Sequence, residues 1–140
     1  MKQRPDNLKF KKYHKINKSF LFVKKQKSVI PSFGNWGLKS VSAGKLTYRQ
    51  IEAGRKTIRR NVSKGGSLWV KAFTYAPVSQ KPNGIRMGKG KGLISHWVCP
   101  VKKGQIIYEL SGLSFEISLR ALYSASIKLP VKTKIIKLIY

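Results

Sequence analysis

Only four acidic residues accompany the 30 lysines and arginines of this chain: Asp6, Glu52, Glu109 and Glu116. The cations therefore cannot pair within the chain, so any folded form must leave most of them at its surface. The formal net charge of +26 far exceeds the magnitude of about 2 to 8 that keeps a small domain in solution. Such a surface repels itself until a polyanion neutralises it. Nucleic acid is the densest common polyanion, with about one charge per 1.7 Å of duplex axis, and an anionic membrane surface is the alternative.

The apolar residues are numerous enough for a real core. A chain of 140 residues corresponds to one domain, and its 41% hydrophobic content and three tryptophans exclude a merely basic disordered tail. The single cysteine, Cys99, excludes an internal disulfide and a multi-cysteine zinc site. No apolar run approaches the roughly 20 residues of a membrane span. The first residues have neither the apolar stretch of a signal peptide nor the composition of a transit peptide, so we expect no targeting segment.

Residues 1–32 form a basic arm in our interpretation. Ten cations lie between residues 2 and 27: Lys2, Arg4, Lys9, Lys11, Lys12, Lys15, Lys18, Lys24, Lys25 and Lys27. Four aromatic residues are interleaved with them: Phe10, Tyr13, Phe20 and Phe22. This charge density disfavours independent folding, whereas aromatics between cations can stack on bases while the cations meet phosphates. We expect an extended arm that becomes ordered on RNA; a solvated tail whose aromatics dock on its own domain is the alternative.

The clearest local signal is a helix start. Thr47 is followed three residues later by Gln50, which fits a capping box. Helical spacing then places Ile51, Ile58 and Val62 on one apolar face. The glycine pair 65–66 supplies a left-handed stop, so we predict a helix over residues 48–64. Its other faces carry four cations that could meet phosphates: Arg49, Lys56, Arg59 and Arg60.

The remaining segments predict strands and a second helix. Residues 33–46 predict a strand that bends at its glycines, and a long loop occupies residues 74–92. Alternation predicts further strands at 67–73, 93–99, 105–110 and 131–140, the last one near an edge, and spacing predicts a helix at 114–127. We expect strands 93–99 and 105–110 to form a hairpin across the turn between them. The order β-α-β-β-β-α-β predicts an α+β domain at residues 33–140, with two helices packed on one face of an antiparallel β-sheet.

The loop around residues 81–92 has the chemistry of a polyanion contact. Gly88, Gly90 and Gly92 leave the backbone bare enough to lie against a phosphate chain. Lys89 and Lys91 alternate with these glycines and offer free donors. Lys81 and Arg86 precede them, and the arginine adds a planar fork for phosphates or base edges. A flexible hairpin loop without a ligand is the alternative.

Two nucleotide-binding patterns fail in this loop. The Walker pattern needs four residues between its glycines, but Gly84 and Gly88 are separated by three, and Gly90 stands where Ser or Thr should follow Lys89. The dinucleotide pattern fails because Leu93 occupies the place of its third glycine. Neither a mononucleotide nor a dinucleotide cofactor is therefore expected.

Few residues of this sequence could serve catalysis or metal binding. The three acids outside the arm show no spacing that predicts a pair, and His14 and His96 are the only histidines. His96 follows the pattern of a packed or hydrogen-bonded residue in a strand, and Cys99 that of a small core residue. No His, Cys, Asp or Glu cluster has metal-ligand spacing. We expect no enzyme, no metal and no cofactor.

Five blocks of sequence stand in one order along the chain. They are Lys9-Phe-Lys-Lys-Tyr-His-Lys15, Phe33-Gly-Asn-Trp-Gly-Leu-Lys39, Leu46-Thr-Tyr-Arg-Gln-Ile-Glu-Ala53 followed by Arg55, Arg86-Met-Gly-Lys-Gly-Lys-Gly92 with Trp97 and Val98, and Lys128-Leu-Pro-Val-Lys-Thr133. In these blocks the chain resembles the bacterial and organellar large-subunit ribosomal protein L-sixteen family. The resemblance runs from about Lys9 to the C-terminus, and the block that begins at Arg86 is very specific.

The resemblance implies a domain embedded in large-subunit rRNA, beside the peptidyl-transferase centre and the elbow of A-site tRNA. It implies that the arm and the 86–92 loop point toward that region, that other large-subunit proteins adjoin, and that no homo-oligomer forms. In bacterial relatives the arginine that matches Arg86 can be hydroxylated, so Arg86 is a candidate modification site. The candidate rRNA- and tRNA-binding residues are Lys9, Lys11, Lys12, His14, Lys15, Arg49, Lys56, Arg59, Arg60, Lys81, Arg86, Lys89 and Lys91, with backbone approach at Gly88, Gly90 and Gly92.

The chain also departs from this family. It has Arg4-Pro-Asp-Asn-Leu8 in place of a short Pro-Lys-Arg-Thr, Ile16 where glycine is common, and Phe73-Thr74 in place of Phe-Pro. Gly54 replaces a usual alanine, at a cost of about 1 kcal/mol in helix propensity. Lysine outnumbers arginine 23 to 7, a bias that suits an AT-rich genome. We therefore favour a mitochondrion, with a plastid or a bacterial cytoplasm as alternatives.

Overall fold

The computed structural model describes residues 2–15, 30–62 and 65–138. Seven strands and two helices lie in these ranges: β1 (Trp36–Ser40), β2 (Gly44–Thr47), α1 (Tyr48–Asn61), β3 (Ser67–Val70), β4 (Ala76–Gln80), β5 (Leu93–Val101), β6 (Ile106–Ser111), α2 (Phe115–Ser126) and β7 (Thr133–Lys137). Every strand pair is antiparallel. The predicted α+β class with two helices is confirmed. The part of the arm at residues 16–29, with Phe20 and Phe22, lies outside the described residues.

The strands form two sheets instead of one. A four-stranded sheet has the order β3-β6-β1-β7, and a three-stranded sheet has the order β2-β5-β4. The bent strand predicted at 33–46 is divided between them, because the chain turns at Val41, whose N–H donates to the Lys132 carbonyl at 2.8 Å. The predicted edge position of the last strand is confirmed, since β7 ends the larger sheet.

The predicted hairpin of strands 93–99 and 105–110 is wrong. β5 pairs with β2 and β4, whereas β6 pairs with β1 and β3. The turn between them carries the chain from one sheet to the other, and Gly104 at its end donates to the Ser40 carbonyl at 2.7 Å. β4 lies within the segment predicted as a long loop. Pro77 obscured it in the sequence, because proline is tolerated in a strand mainly at an edge, where β4 lies.

Both helices form where their local signals predict. In the capping box, the Gln50 side chain accepts from the Thr47 N–H at 2.9 Å, and the Thr47 hydroxyl accepts from the Gln50 N–H at 3.4 Å. α1 ends at Asn61, with the following Val62 in an extended conformation. The predicted end at Lys64 lies outside the described residues. α2 begins after Ser114 and ends at Ser126 as expected.

The two helices pack on the same face of the larger sheet, as predicted. Trp36 and Leu38 are two residues apart in β1, so their side chains lie on the same face of the sheet. Tyr108 lies on this face too, because it is opposite Leu38 in the register. The Tyr108 hydroxyl donates to the Ile51 carbonyl of α1 at 2.7 Å. The Trp36 ring lies 5.3 Å from the ring of Phe115 in α2. The core between sheet and helices is therefore fixed from both sides, and α1 is held with its cations outward.

Candidate nucleic-acid interface

α1 presents a straight row of cations to solvent. Arg49, Lys56 and Arg60 are spaced by seven and four residues, which places them along one side of a helix. All three are exposed. The opposite side holds the buried residues Ile51, Gly54 and Ile58. Arg59 is exposed beside the row, with a guanidinium nitrogen 3.5 Å from the Gly66 carbonyl.

One arginine of α1 is already neutralised within the chain. Arg55 donates two hydrogen bonds to the carboxylate of Glu52, from Nε at 2.9 Å and from Nη2 at 2.7 Å. This hydrogen bonding lowers the pKa of the Glu52 carboxyl and raises the pKa of Arg55. Arg55 therefore offers less to a phosphate than the cations of the row do.

Consecutive left-handed residues shape the glycine-lysine loop. Gly88, Lys89 and Gly90 have φ angles of 91°, 51° and 85°. Glycine suits such angles because it has no Cβ, whereas Lys89 adopts a conformation that is uncommon for its residue type. A Cβ built on Gly88 or Gly90 would meet nothing within 4 Å. The backbone of these two residues is therefore open to a ligand, and close approach of RNA to it stays a prediction.

Gly92 has a different role within the fold. A Cβ at this position would lie 2.6 Å from the carbonyl carbon and oxygen of Gln80. Because Gly92 has no side chain, the backbone at this end of the loop can pack directly against Gln80 at the other end. Direct approach of RNA to Gly92 stays a prediction, and the packing against Gln80 is sufficient to require glycine there.

The cations of the loop differ in their availability. Arg86 and Lys89 are exposed and, among the described residues, make no hydrogen bond or ion pair. The Lys81 ammonium donates to the Gly88 carbonyl, across the loop. Lys91 donates to the carbonyl of Tyr13 in the arm. Two cations are thus free for a ligand, while two hold the loop in shape.

Reciprocal hydrogen bonds join the arm to the loop. The Lys12 ammonium donates to the Lys91 carbonyl at 3.1 Å, while Lys91 donates to the Tyr13 carbonyl. Nearer the start of the chain, the buried hydroxyl of Thr74 donates to the Gln3 carbonyl at 2.7 Å. We refer to residues 2–15 together with the 81–92 loop as the arm-loop surface. The predicted cations of the arm (Lys9, Lys11, Lys12 and Lys15) and His14 are exposed on it.

Two grooves separate the arm from the smaller sheet. One has a volume of about 610 Å³ and is lined by Tyr13, His14, Lys15, Lys45, Lys91, Val98 and residues 76–79 of β4. The other, of about 560 Å³, is lined by Lys2, Gln3, Arg4, Asp6 and residues 94–97 of β5. Each groove combines cations with at least one apolar side chain, such as Val98 in the first and Trp97 in the second, which suits a nucleic-acid backbone with its bases.

Sequence reasoning missed several residues of these grooves. Lys45 contributes a cation that only its charge could have indicated, and Lys2 and Arg4, which were named with the arm but not among the candidate binding residues, contribute two more. Of the two alternatives predicted for His96, packed or hydrogen-bonded, the structure agrees with the second, since the side chain is exposed and its Nδ1 lies 3.3 Å from the Ser95 hydroxyl. The prediction for Cys99 is confirmed, because its thiol is buried and burial raises its pKa to about 11.

Within residues 2–15, 30–62 and 65–138, no group of three or more His, Cys, Asp or Glu side chains could hold a metal ion. Over the same ranges, no helix is both long and apolar enough to cross a membrane.

Comparison with known proteins adds an independent finding. The family model described as Ribosomal protein L16p/L10e matches residues 5–136. The protein named Large ribosomal subunit protein uL16 of Psychrobacter cryohalolentis is 45% identical over 133 residues, which cover 95% of each chain. Proteins of the same name from Alkalilimnicola ehrlichii and Francisella tularensis subsp. holarctica are 41% and 39% identical over the same share of each chain.

Proposed function

This chain belongs to the Ribosomal protein L16p/L10e family and is a protein of the large ribosomal subunit, and from that premise we propose that its arm-loop surface binds large-subunit rRNA and helps to position A-site tRNA beside the peptidyl-transferase centre. The single observation that carries the proposal is the pair of hydrogen bonds between Lys12, Tyr13 and Lys91. It brings two separately basic segments into one surface.

The two parts of this surface have different tasks in the proposal. The arm, together with the α1 row outside this surface, meets rRNA phosphates, because the cations of both are exposed. The tip of the loop meets tRNA, because Arg86 and Lys89 are exposed and carry free donors. Met87 between them is 96% exposed, so the tip stands clear of the domain. The same exposure makes Arg86 accessible to a hydroxylating enzyme, as the resemblance implies.

An alternative function at a membrane surface has less support. It requires an amphipathic helix in the arm, and Pro5, Pro31 and the scattered apolar residues of the arm argue against one. The expectations that the chain is not an enzyme and that other large-subunit proteins adjoin it remain predictions, and both agree with the names of its relatives. The division into an arm at 1–32 and an RNA-binding domain at 33–140 is likewise part of the proposal.

The compartment is proposed from the relatives. The three compared proteins come from bacteria, so the mitochondrion that the lysine bias favoured gains no support from them. We propose a ribosome of the bacterial type as the assembly that this chain enters.

The test uses large subunits assembled with the full chain. The variant Arg86→Ala/Lys89→Ala/Lys91→Ala should leave assembly and the fold of the domain intact, because the loop is exposed, but should remove the hydrogen bond from Lys91 to Tyr13 and slow accommodation of A-site tRNA. A matched control, Lys103→Ala/Arg120→Ala/Lys128→Ala, removes the same charges from exposed positions outside the arm-loop surface. Unchanged tRNA binding in the loop variant, or an equal loss in the control, would remove the loop from the mechanism.

A further inference from the structure

The larger sheet has a second face, turned away from the helices. The Leu38 side chain points into the core and is fully buried. Its neighbours Gly37 and Lys39 therefore face the opposite side of the sheet. We call this side the outer sheet face. Residues 31–34 cover part of it, with Pro31 close to Gly37. The rest of the face lies outside the arm-loop surface.

Two lysines face each other directly on the outer sheet face. Lys39 of β1 and Lys134 of β7 are cross-strand partners in the antiparallel register. Like charges in this position destabilise a sheet unless something neutralises them. Lys134 is exposed and Lys39 is half-buried. An anion between them would turn an unfavourable pair into a binding site.

The acid on this face cannot neutralise that pair. Glu109 is fully buried, and its Oε2 accepts the N–H groups of Ser32, Phe33 and Gly34 at 3.2, 2.8 and 3.2 Å. Its other oxygen lies 3.9 Å from the ammonium of Lys71. The carboxylate is therefore occupied in holding residues 32–34 on the sheet.

Lys71 extends the cations into a row across the sheet. Its N–H donates to the Ile107 carbonyl of β6 at 2.9 Å, and Lys39 pairs with the adjacent Ile106. Neighbouring strands are about 4.8 Å apart, so the backbone of Lys71 is roughly 10 Å from that of Lys39, and Lys134 follows one strand further. A row of cations perpendicular to the strands suits a chain of phosphates.

An exposed aromatic ring lies at one end of this row. Phe33 stacks on Trp69, with ring centroids 6.1 Å apart and planes inclined by 22°. The Lys71 ammonium is 4.4 Å from the Phe33 centroid. Phe33 nevertheless stays 62% exposed, and the three hydrogen bonds to Glu109 fix its position. A rigid and largely exposed ring beside a cation can stack on an unpaired base.

From these contacts we propose that the outer sheet face is a second RNA-binding surface, which takes a single-stranded rRNA segment with a base on Phe33 and phosphates along Lys71, Lys39 and Lys134. An acidic protein segment could also neutralise the lysines. RNA is favoured because it supplies phosphates and a flat base together, and the face presents partners for both. The proposal rests on the proposed function in that the chain binds rRNA, but none of its residues belongs to the arm-loop surface.

Binding of the full chain to oligouridylate and to transcribed large-subunit rRNA tests the lysines. Lys39→Gln/Lys134→Gln should reduce the slope of log affinity against log salt by about 1.4, which corresponds to two single-strand phosphates. The matched control Lys103→Gln/Lys128→Gln removes the same charge elsewhere and should change the slope less. A loss in the control equal to that in the Lys39/Lys134 variant would overturn the proposal.

Ultraviolet crosslinking to oligouridylate tests the ring. The tryptic peptide 28–39 contains Phe33 and should carry the crosslink, which Phe33→Leu should abolish while keeping the sheet covered. Affinity should also fall, roughly 5-fold or more, with the lost stacking. A crosslink retained in Phe33→Leu, or none in the native chain, would overturn the proposal and leave an acidic protein as occupant of the face. The Arg86, Lys89 and Lys91 variant, assayed in parallel, reports separately on the arm-loop surface.

Discussion

Gly54 lies in the middle of α1, where alanine would ordinarily stabilise the helix. Exchanging a helical glycine for alanine gains about 1 kcal/mol in helix propensity. A Cβ at this position, however, would be driven into the Tyr108 hydroxyl and would lie only 3.0 Å from Cζ and 3.2 Å from Cε2 of that ring. Tyr108 has no exposure, so the ring cannot move aside freely. We therefore predict that Gly54→Ala destabilises the protein.

The size of this effect follows from two costs. Overpacking a filled core costs about 1–3 kcal/mol. If the ring shifts, the Tyr108 hydroxyl loses its bond to the Ile51 carbonyl, and a buried hydroxyl without a partner costs about 1–3 kcal/mol. With the propensity gain subtracted, the free energy of unfolding should fall by about 1–5 kcal/mol.

Urea unfolding of the full chain measures this change in a double-mutant cycle. Tyr108→Phe removes the atom nearest to the new Cβ, so Gly54→Ala/Tyr108→Phe should be more stable than the sum of the single effects predicts, by at least about 1 kcal/mol. A Gly54→Ala protein as stable as the native chain, or additive single effects, would refute the steric argument.

Three further predictions concern the acids and the thiol. Urea unfolding should show that Glu109→Ala lowers the free energy of unfolding by about 3–5 kcal/mol. Glu109→Gln should lower it less, because an amide oxygen still accepts from the N–H groups of residues 32–34. Equal losses of stability in the two variants would contradict this. Cys99 should resist alkylation in the native chain at pH 8, because it is buried and its pKa is raised to about 11, and rapid native labelling would contradict that. Glu52→Gln should cost no more than about 1 kcal/mol at neutral pH. Since Arg55 lowers the pKa of Glu52, the difference in stability between the native chain and Glu52→Gln should disappear as the pH falls through and below the ordinary value of 4.5. A difference in stability that persists in acid would count against the ion pair.

The sequence predicted the features that depend on neighbouring residues. The capping box of Thr47 and Gln50 is confirmed because its two hydrogen bonds join residues three apart. α2 follows from its own spacing in the same way. The loop cations were recognisable because glycine and lysine alternate in the chain itself.

Features that depend on distant residues could not be predicted. β5 and β6 adjoin in sequence but belong to different sheets, and no local pattern says which strand each one pairs with. The contact between Lys12 and Lys91 joins residues 79 apart, so it exists only once the smaller sheet has formed. The role of Gly54 likewise depends on Tyr108, which the sequence does not place near it.

The salt dependence of affinity for large-subunit rRNA tests the central claim most directly. Log affinity should fall steeply with log salt, and Arg86→Ala/Lys89→Ala/Lys91→Ala should reduce the slope by at least about 1.4, as expected for the phosphate contacts of the two free cations Arg86 and Lys89. The control Lys103→Ala/Arg120→Ala/Lys128→Ala should change it less. A nearly flat salt response of the native chain, or equal slopes in the native and loop-variant chains, would contradict an RNA interface built from the arm and the loop.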